Sequence, residues 1–201
     1  NLEFDHESRW WQWTVRMTRE AAQRSKGRYL VAMPDLIENL DTLAALLGTQ
    51  RLLMDVLDRP ARVHHLQEQL LPLWFQSFSE LYSMVRDEQG GMAWIAFMVW
   101  APGRLAKLQC DFSAMISDDM FAEFVAPYLR EQIDGLDYCL YHLDGPQATH
   151  HLVELLSIES LDCVQWTPGA AEPHGGDPMW DRMYKRILNS GKLLHAHMPL
   201  E

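Results

Sequence analysis

Residues 138–145 read YCLYHLDG, an apolar run that stops at His142, Asp144 and a Gly-Pro break. The run predicts a strand, and because side chains two positions apart on a strand point to one side, His142 and Asp144 share a face. Enzymes built on parallel strands place imidazole and carboxylate groups where a strand ends, since the strand is rigid and the following loop admits substrate. A buried histidine hydrogen-bonded to a loop-capping aspartate fits the same residues, and the stretch alone leaves both interpretations open.

Predicted strands and helices alternate along the rest of the chain. The predicted strands are residues 29–33, 92–99, 105–111, 138–144, 161–166 and 193–197. The predicted helices are residues 7–27, 36–47, 50–57, 63–85 with an interruption near Pro72, 117–133, 147–156 and 179–189. Short continuous apolar runs suit strands buried on both faces, and the alternation predicts a parallel α/β sheet.

Length and charge limit the classes of protein that are possible. At 201 residues and 48% hydrophobic composition, the chain is long enough for one sizeable core, so we expect a single domain over residues 1–201. The net charge of -11, with no stripe of Lys and Arg, argues against a nucleic-acid partner. Asn1 is followed at once by charged, helix-like sequence, from which we expect a piece of a longer chain.

Cysteine usage and hydropathy indicate a cytoplasmic protein without a membrane segment. Cys110, Cys139 and Cys163 lie in apolar, strand-like segments without close pairing, which favours reduced core thiols over a disulfide framework. The longest apolar run, residues 92–102, is shorter than the roughly 20 residues that span a bilayer. We expect no signal peptide before Asn1.

Four motifs in order resemble the second half of the uroporphyrinogen decarboxylase superfamily over roughly residues 28–200. They are CDFSAMISDDMFAEFVAPYLREQ (110–132), YHLDG (141–145), LDCVQWTPG (161–169) and GKLLHAHMP (191–199). The first motif is similar to the typical segment of that superfamily at Asp111, Ile116, Ser117, Phe121, Phe124, Pro127 and Tyr128. The resemblance implies a (β/α)8 TIM barrel, here a partial barrel that lacks the first strands. Residues 29–33 would then be the fourth strand and residues 193–197 the eighth.

The resemblance also implies a function and an assembly. An enzyme that decarboxylates a carboxylated tetrapyrrole is the leading expectation, and the alternative in the same superfamily is a corrinoid-linked methyltransferase. A family member that binds a ligand or partner without turnover is the alternative from another class. A partial barrel with roughly five or six parallel strands would leave open sheet edges, so we expect a homo-oligomer or a missing N-terminal part of the same chain.

Two strand ends supply the predicted catalytic residues, His142 with Asp144 and His195 with His197. Imidazole nitrogen and carboxylate oxygen suit zinc and similar divalent metals, so one hypothesis is a metal site formed by these four residues. The competing hypothesis is acid–base chemistry, since histidine titrates near neutral pH. The methyltransferases that the chain resembles hold zinc with His-x-Cys at this strand end. Here Asp144 replaces the Cys, so a thiolate zinc site is not supported. If a corrinoid is involved, we expect it as a substrate or partner.

Four further residues are candidates for binding a small-molecule substrate: Arg104, Asp111, Gln165 and Trp166. The planar fork of Arg104 suits a carboxylate, although a solvated loop arginine is the commoner case. Asp111 follows an extended segment, where a carboxylate either contacts substrate or caps backbone amides. Gln165 and Trp166 are neighbours on a strand and point to opposite faces, and a tryptophan on the substrate side would form a flat wall for a ring.

Overall fold

A four-stranded parallel sheet organises the second half of the chain in the computed structural model, which describes residues 2–25 and 27–197. Two short strands, β1 (Met92–Trp94) and β2 (Val99–Ala101), form an antiparallel hairpin beside it. The parallel strands are β3 (Leu105–Gln109), β4 (Tyr138–Asp144), β5 (Cys163–Thr167) and β6 (Leu193–Ala196), in that spatial order. Strand β4 has the predicted bounds.

Eight α-helices are found in the described residues. They are α1 (Arg9–Ser25), α2 (Asn39–Leu47), α3 (Thr49–Asp58), α4 (Pro60–Val85), α5 (Asp118–Phe124), α6 (Ala126–Asp134), α7 (Leu152–Leu156) and α8 (Asp181–Asn189). Helix α4 passes through Pro72, so the predicted interruption is wrong. The predicted helix 117–133 is instead divided near Pro127, which suits the first turn of a helix. The Ser117 hydroxyl caps α5 by accepting a hydrogen bond from the Met120 backbone amide.

The prediction of a partial TIM barrel is wrong: across residues 2–25 and 27–197 the parallel strands form an open sheet of four, with no barrel. Residues 29–33 are not a strand, and Tyr29 and Leu30 are exposed. Backbone amides next to the outer edge of β3 are already used by side chains. Glu38 Oε1 accepts from the backbone amide of Gln109 at 2.6 Å. The Asp41 carboxylate accepts from the backbone amides of Asp111 and Phe112, each at 2.8 Å. These carboxylates occupy positions where a further strand would pair.

A second correction concerns residues 92–99, which were predicted as a parallel strand. They form β1 and a 3-10 turn, Ile95–Phe97, and the chain then reverses into β2. Met98 adopts a left-handed backbone conformation at φ 51°, which closes this reversal. The turn therefore places Phe97 against the sheet as part of a hairpin.

The two faces of the parallel sheet differ in character. One face is apolar and is buried on β3, β4 and β5, where it includes Leu108, Tyr141, Val164 and Trp166. The cysteines are free thiols, of which Cys110 and Cys139 are buried in the core, as expected. The opposite face carries polar side chains towards the carboxyl ends of the strands. Of the helices in the described part of the chain, none has the length and apolar character that a membrane crossing requires.

Candidate functional site: a polar row on the parallel sheet

One row of polar side chains crosses all four parallel strands near their carboxyl ends. The strand register pairs Gln109 with His142, His142 with Gln165, and Gln165 with His195. Residues at one register position point to the same face, and adjacent strands lie about 4.8 Å apart. We call these four residues the polar row. The polar row places His142 and His195 on one face of the sheet, which parity within each strand could not establish alone.

Gln165 determines the tautomer of a neutral His142. Its amide nitrogen donates to the Trp166 carbonyl at 2.9 Å and to the Thr167 hydroxyl at 3.0 Å. A backbone carbonyl only accepts, so the amide orientation is determined, and the Gln165 oxygen faces His142 Nδ1 in a short hydrogen bond. The proton of a neutral His142 therefore lies on Nδ1, which leaves the Nε2 lone pair free to receive a proton.

Phe97, at the turn of the hairpin, packs against both histidines of the polar row. Its ring centroid lies 5.1 Å from that of His142 and 5.6 Å from that of His195. Its neighbours Ile95 and Met98 are exposed. The polar row is therefore bordered by an apolar surface that a ring-shaped ligand could cover.

His195 is held in an environment that favours the neutral imidazole. Burial lowers the pKa of His195, the backbone of Phe97 opposes this shift, and neighbouring His197 adds to it. The His195 and His197 rings lie 5.7 Å apart, edge to face, and His195 Nδ1 is buried without a hydrogen-bond partner. A neutral imidazole with an unused nitrogen can act as a base.

Lys107 and Glu38 extend the polar row, and the sequence did not predict either. Lys107 lies on the same face as Gln109, and its ammonium contacts Asp35 Oδ1 at 2.9 Å and Gln109 Oε1 at 2.5 Å. Burial raises the pKa of Glu38 well above its ordinary value. The charge of Lys107 and the hydrogen bond from the Gln109 backbone amide act in the opposite direction and lower that pKa. The available signal was a single lysine in the apolar run LAKLQC, since a buried ammonium requires a partner.

Two carboxylates stand at the edge of the polar row. Asp111 Oδ2 accepts from the side-chain amide nitrogen of Gln109, Nε2, at 3.0 Å, so Asp111 contacts the row rather than capping a helix. Burial raises the pKa of Asp111, the charges of Asp41 and Asp144 raise it further, and His142 and Lys107 oppose them. Asp144 ends β4 and is exposed. Both predicted carboxylates therefore lie at the carboxyl edge of the sheet, and Asp111 contacts the polar row through Gln109.

The predicted metal site is not formed by His142, Asp144, His195 and His197. His142 and His195 are two strands apart with Gln165 between them, and the Nδ1 atom of His142 is used by that amide. Within residues 2–25 and 27–197, the ligand-type side chains whose donor atoms all lie within 4.8 Å of one another belong to a different group, at Asp118. The four strand-end residues thus do not fit a zinc ion, and acid–base chemistry suits them better.

Two predicted substrate-binding residues lie away from the polar row. Arg104 precedes the amino end of β3, where its guanidinium stacks over Phe75 and Phe78 at 5.8 and 5.3 Å. Trp166 is fully buried on the apolar face, edge to face with Trp180 at 4.9 Å. The predicted opposition of Gln165 and Trp166 is therefore confirmed, and Gln165 is the one on the polar face.

Comparison of the chain with protein-family models, with curated proteins and with solved structures gave no match. The resemblance to the uroporphyrinogen decarboxylase superfamily therefore stays a prediction from the sequence motifs.

Proposed function

We propose that the chain is an enzyme that transfers protons at the polar row, and that its reaction is the decarboxylation of a carboxylated tetrapyrrole. The observation that carries the proposal is the alignment of His142, Gln165 and His195 on three adjacent strands with Phe97 against both imidazoles. The motifs shared with the uroporphyrinogen decarboxylase superfamily suggest the substrate.

Decarboxylation needs a proton donor at the carbon that loses its carboxylate. The bond between that carbon and the carboxylate breaks, CO2 leaves, and the electron pair stays on the carbon until a proton arrives. A histidine suits this step because it titrates near working pH. His142 is half-buried, its Nδ1 proton is held by Gln165, and its Nε2 is the atom left to deliver a proton taken up from water.

The surroundings of the polar row suit a ligand with an apolar ring and charged side groups. Phe97 offers a ring surface, and exposed Ile95 and Met98 extend it. The charge balance is less favourable to an anion, because Lys107 is neutralised by Asp35 and the carboxylates of Asp111 and Asp144 lie near the row. Binding of a polycarboxylate should therefore strengthen as pH falls, because the raised pKa of Asp111 lets that carboxyl take up a proton and lose its charge.

The test is incubation of the full chain with uroporphyrinogen under anaerobic conditions, followed by oxidation and separation of the porphyrins by carboxyl count. We expect products with fewer carboxyl groups, and a loss of at least about 100-fold in rate for His142→Gln and His195→Gln. His65→Gln, on the exposed side of α4, is the matched control and should keep the wild-type rate.

Binding of uroporphyrin, followed by its fluorescence, separates the other outcomes. Binding without product would overturn the catalytic proposal and favour a non-catalytic ligand-binding protein. Neither binding nor product between about pH 6 and 8 would show that the substrate class is wrong. A rate unchanged in both histidine variants would remove the polar row from the reaction.

A further inference from the structure

Outside the polar row, the side chains of His150 and His151 lie close to Asp118, which is more than 30 positions earlier in the chain. His150 and His151 end the 3-10 segment Pro146–His151 that follows β4, and Asp118 is the first residue of α5. Asp118 Oδ1 lies 3.0 Å from His151 Nδ1 and 3.8 Å from His150 Nε2. The donor atoms all lie within 4.8 Å of one another, and the two imidazole centroids are 3.8 Å apart.

His151 is the residue whose environment calls for a cation. Its side chain is 1% exposed and stacks on Phe121 at a centroid distance of 4.3 Å. Its Nε2 faces the Ser113 carbonyl at 2.9 Å and must carry the proton, because a carbonyl only accepts. In the neutral ring the Nδ1 lone pair then points at the Asp118 carboxylate, and this buried nitrogen has no hydrogen-bond partner.

Protonation of His151 would satisfy the same contact, but the surroundings oppose it. Burial lowers the pKa of His151, and the neighbouring His150 lowers it further, while Ser113 and Asp118 act in the other direction. Two lone pairs 3.0 Å apart repel unless a positive charge lies between them. A metal ion supplies that charge without requiring a buried imidazolium.

We propose that Asp118, His150 and His151 bind a divalent ion of the zinc class, with water at a fourth position. Imidazole nitrogen and carboxylate oxygen are the ligands that zinc takes, and three protein ligands with one open position form a common arrangement. The Ser113 carbonyl orients His151 in the way that a hydrogen-bond acceptor orients a metal-bound histidine. The side chains of Asp118 and His150 are 66% and 42% exposed, so the ion has a path from solvent.

Binding requires one rearrangement of protons. His150 Nε2 lies 3.2 Å from the Ile116 carbonyl, to which it donates when it carries the ring proton. To bind the ion through Nε2, His150 must move that proton to Nδ1, a change of tautomer that leaves its charge unchanged. The bound ion would join the segment after β4 to the start of α5, since each contributes ligands.

The experiment is calorimetric titration of the full, chelator-treated chain with Zn²⁺ alone, repeated with Co²⁺ to read the coordination from its visible absorption. We expect one equivalent bound and an affinity at least about tenfold weaker in Asp118→Asn and in His150→Gln, because even loss of a group that orients a ligand costs that much. Both side chains are exposed enough to replace without disturbing the core, which far-ultraviolet circular dichroism checks.

Asp119→Asn and His65→Gln are the matched controls, and both should bind as the wild type does. The proposal is overturned if the wild type shows no saturable binding, or if Asp118→Asn and Asp119→Asn bind alike. If His142→Gln or His195→Gln binds the ion more weakly while Asp118→Asn binds it as the wild type does, the ion binds at the polar row. That result also overturns the proposal.

Discussion

Lys107→Met removes the positive charge that contacts Gln109 of the polar row and keeps a side chain of similar length. The ammonium is 2% exposed, contacts Asp35 Oδ1 at 2.9 Å and Gln109 Oε1 at 2.5 Å, and lies over the Trp94 ring. Methionine retains the packing of the stem but none of these polar contacts. The substitution therefore tests whether the charge of Lys107, rather than its bulk, stabilises this part of the sheet.

The expected loss follows from the balance of attraction and desolvation. Unit charges 2.9 Å apart attract by about 6 kcal/mol at an effective dielectric constant of about 20. Most of this gain is offset by the several kcal/mol needed to bury an ammonium. Asp35 is 49% exposed and can be hydrated when Lys107 is lost, so we expect a net loss of about 2 kcal/mol in the free energy of unfolding, below the roughly 3–5 kcal/mol of a fully buried pair.

The loss should depend on pH through Glu38. Burial raises the pKa of Glu38 well above its ordinary value of 4.5, so the folded chain holds a proton that the unfolded chain releases. Stability therefore falls as pH rises from about 4.5 towards the folded pKa. Lys107 opposes the shift of Glu38, and its removal raises that pKa further. The cost of Lys107→Met should consequently be larger at pH 8 than at pH 5.

The assay is urea unfolding followed by tryptophan fluorescence at both pH values. Lys185→Met is the matched control, because Lys185 forms an exposed pair with Asp181 at 3.8 Å and should contribute little. Adding Glu38→Gln to Lys107→Met removes the buried carboxylate and should remove the pH dependence. A stabilising role for the Lys107 charge is refuted if Lys107→Met costs no more free energy of unfolding than Lys185→Met. Its coupling to Glu38 is refuted if that cost is the same at both pH values while Glu38 is present.

Two further predictions concern β5. Trp166→Ala should lower the free energy of unfolding by about 3–5 kcal/mol, because Trp166 is fully buried against Trp180. At a temperature low enough to keep this variant folded, its porphyrin binding should equal that of the wild type. Gln165→Leu removes the acceptor of the His142 Nδ1 proton at similar volume, so it should reduce the rate of decarboxylation by at least about tenfold with little change in porphyrin affinity, measured in the assays above.

The sequence predicted β4 and the faces of its side chains because both depend on local pattern. An apolar run with a Gly-Pro break determines where the strand ends, and alternation determines that Gln165 and Trp166 oppose each other. The shared face of His142 and His195 needed the register between strands, which the structure supplied. Local pattern thus predicted strands better than it predicted the assembly of strands.

The barrel prediction failed because closure depends on contacts that no local pattern contains. Alternating strands and helices are common to open sheets and to barrels. The outer edge of β3 is covered by Glu38 and Asp41, which reach backbone amides about 70 positions away in the chain. An apolar run such as residues 29–33 looks the same whether it pairs in a sheet or packs as an irregular segment. Its exposure at Tyr29 and Leu30 distinguishes the two.

The polar row departs from what stability alone predicts for this face of the sheet. A parallel strand covered on both faces is expected to be apolar throughout, yet Gln109, His142, Gln165 and His195 place polar groups at one level of all four strands. Burying such groups costs free energy unless each finds a partner, and here His142 and Gln165 satisfy each other while His195 Nδ1 remains without one. A fold selected for stability alone would replace them with apolar side chains. Their presence at one level is therefore the strongest physical argument that this face of the sheet has a function.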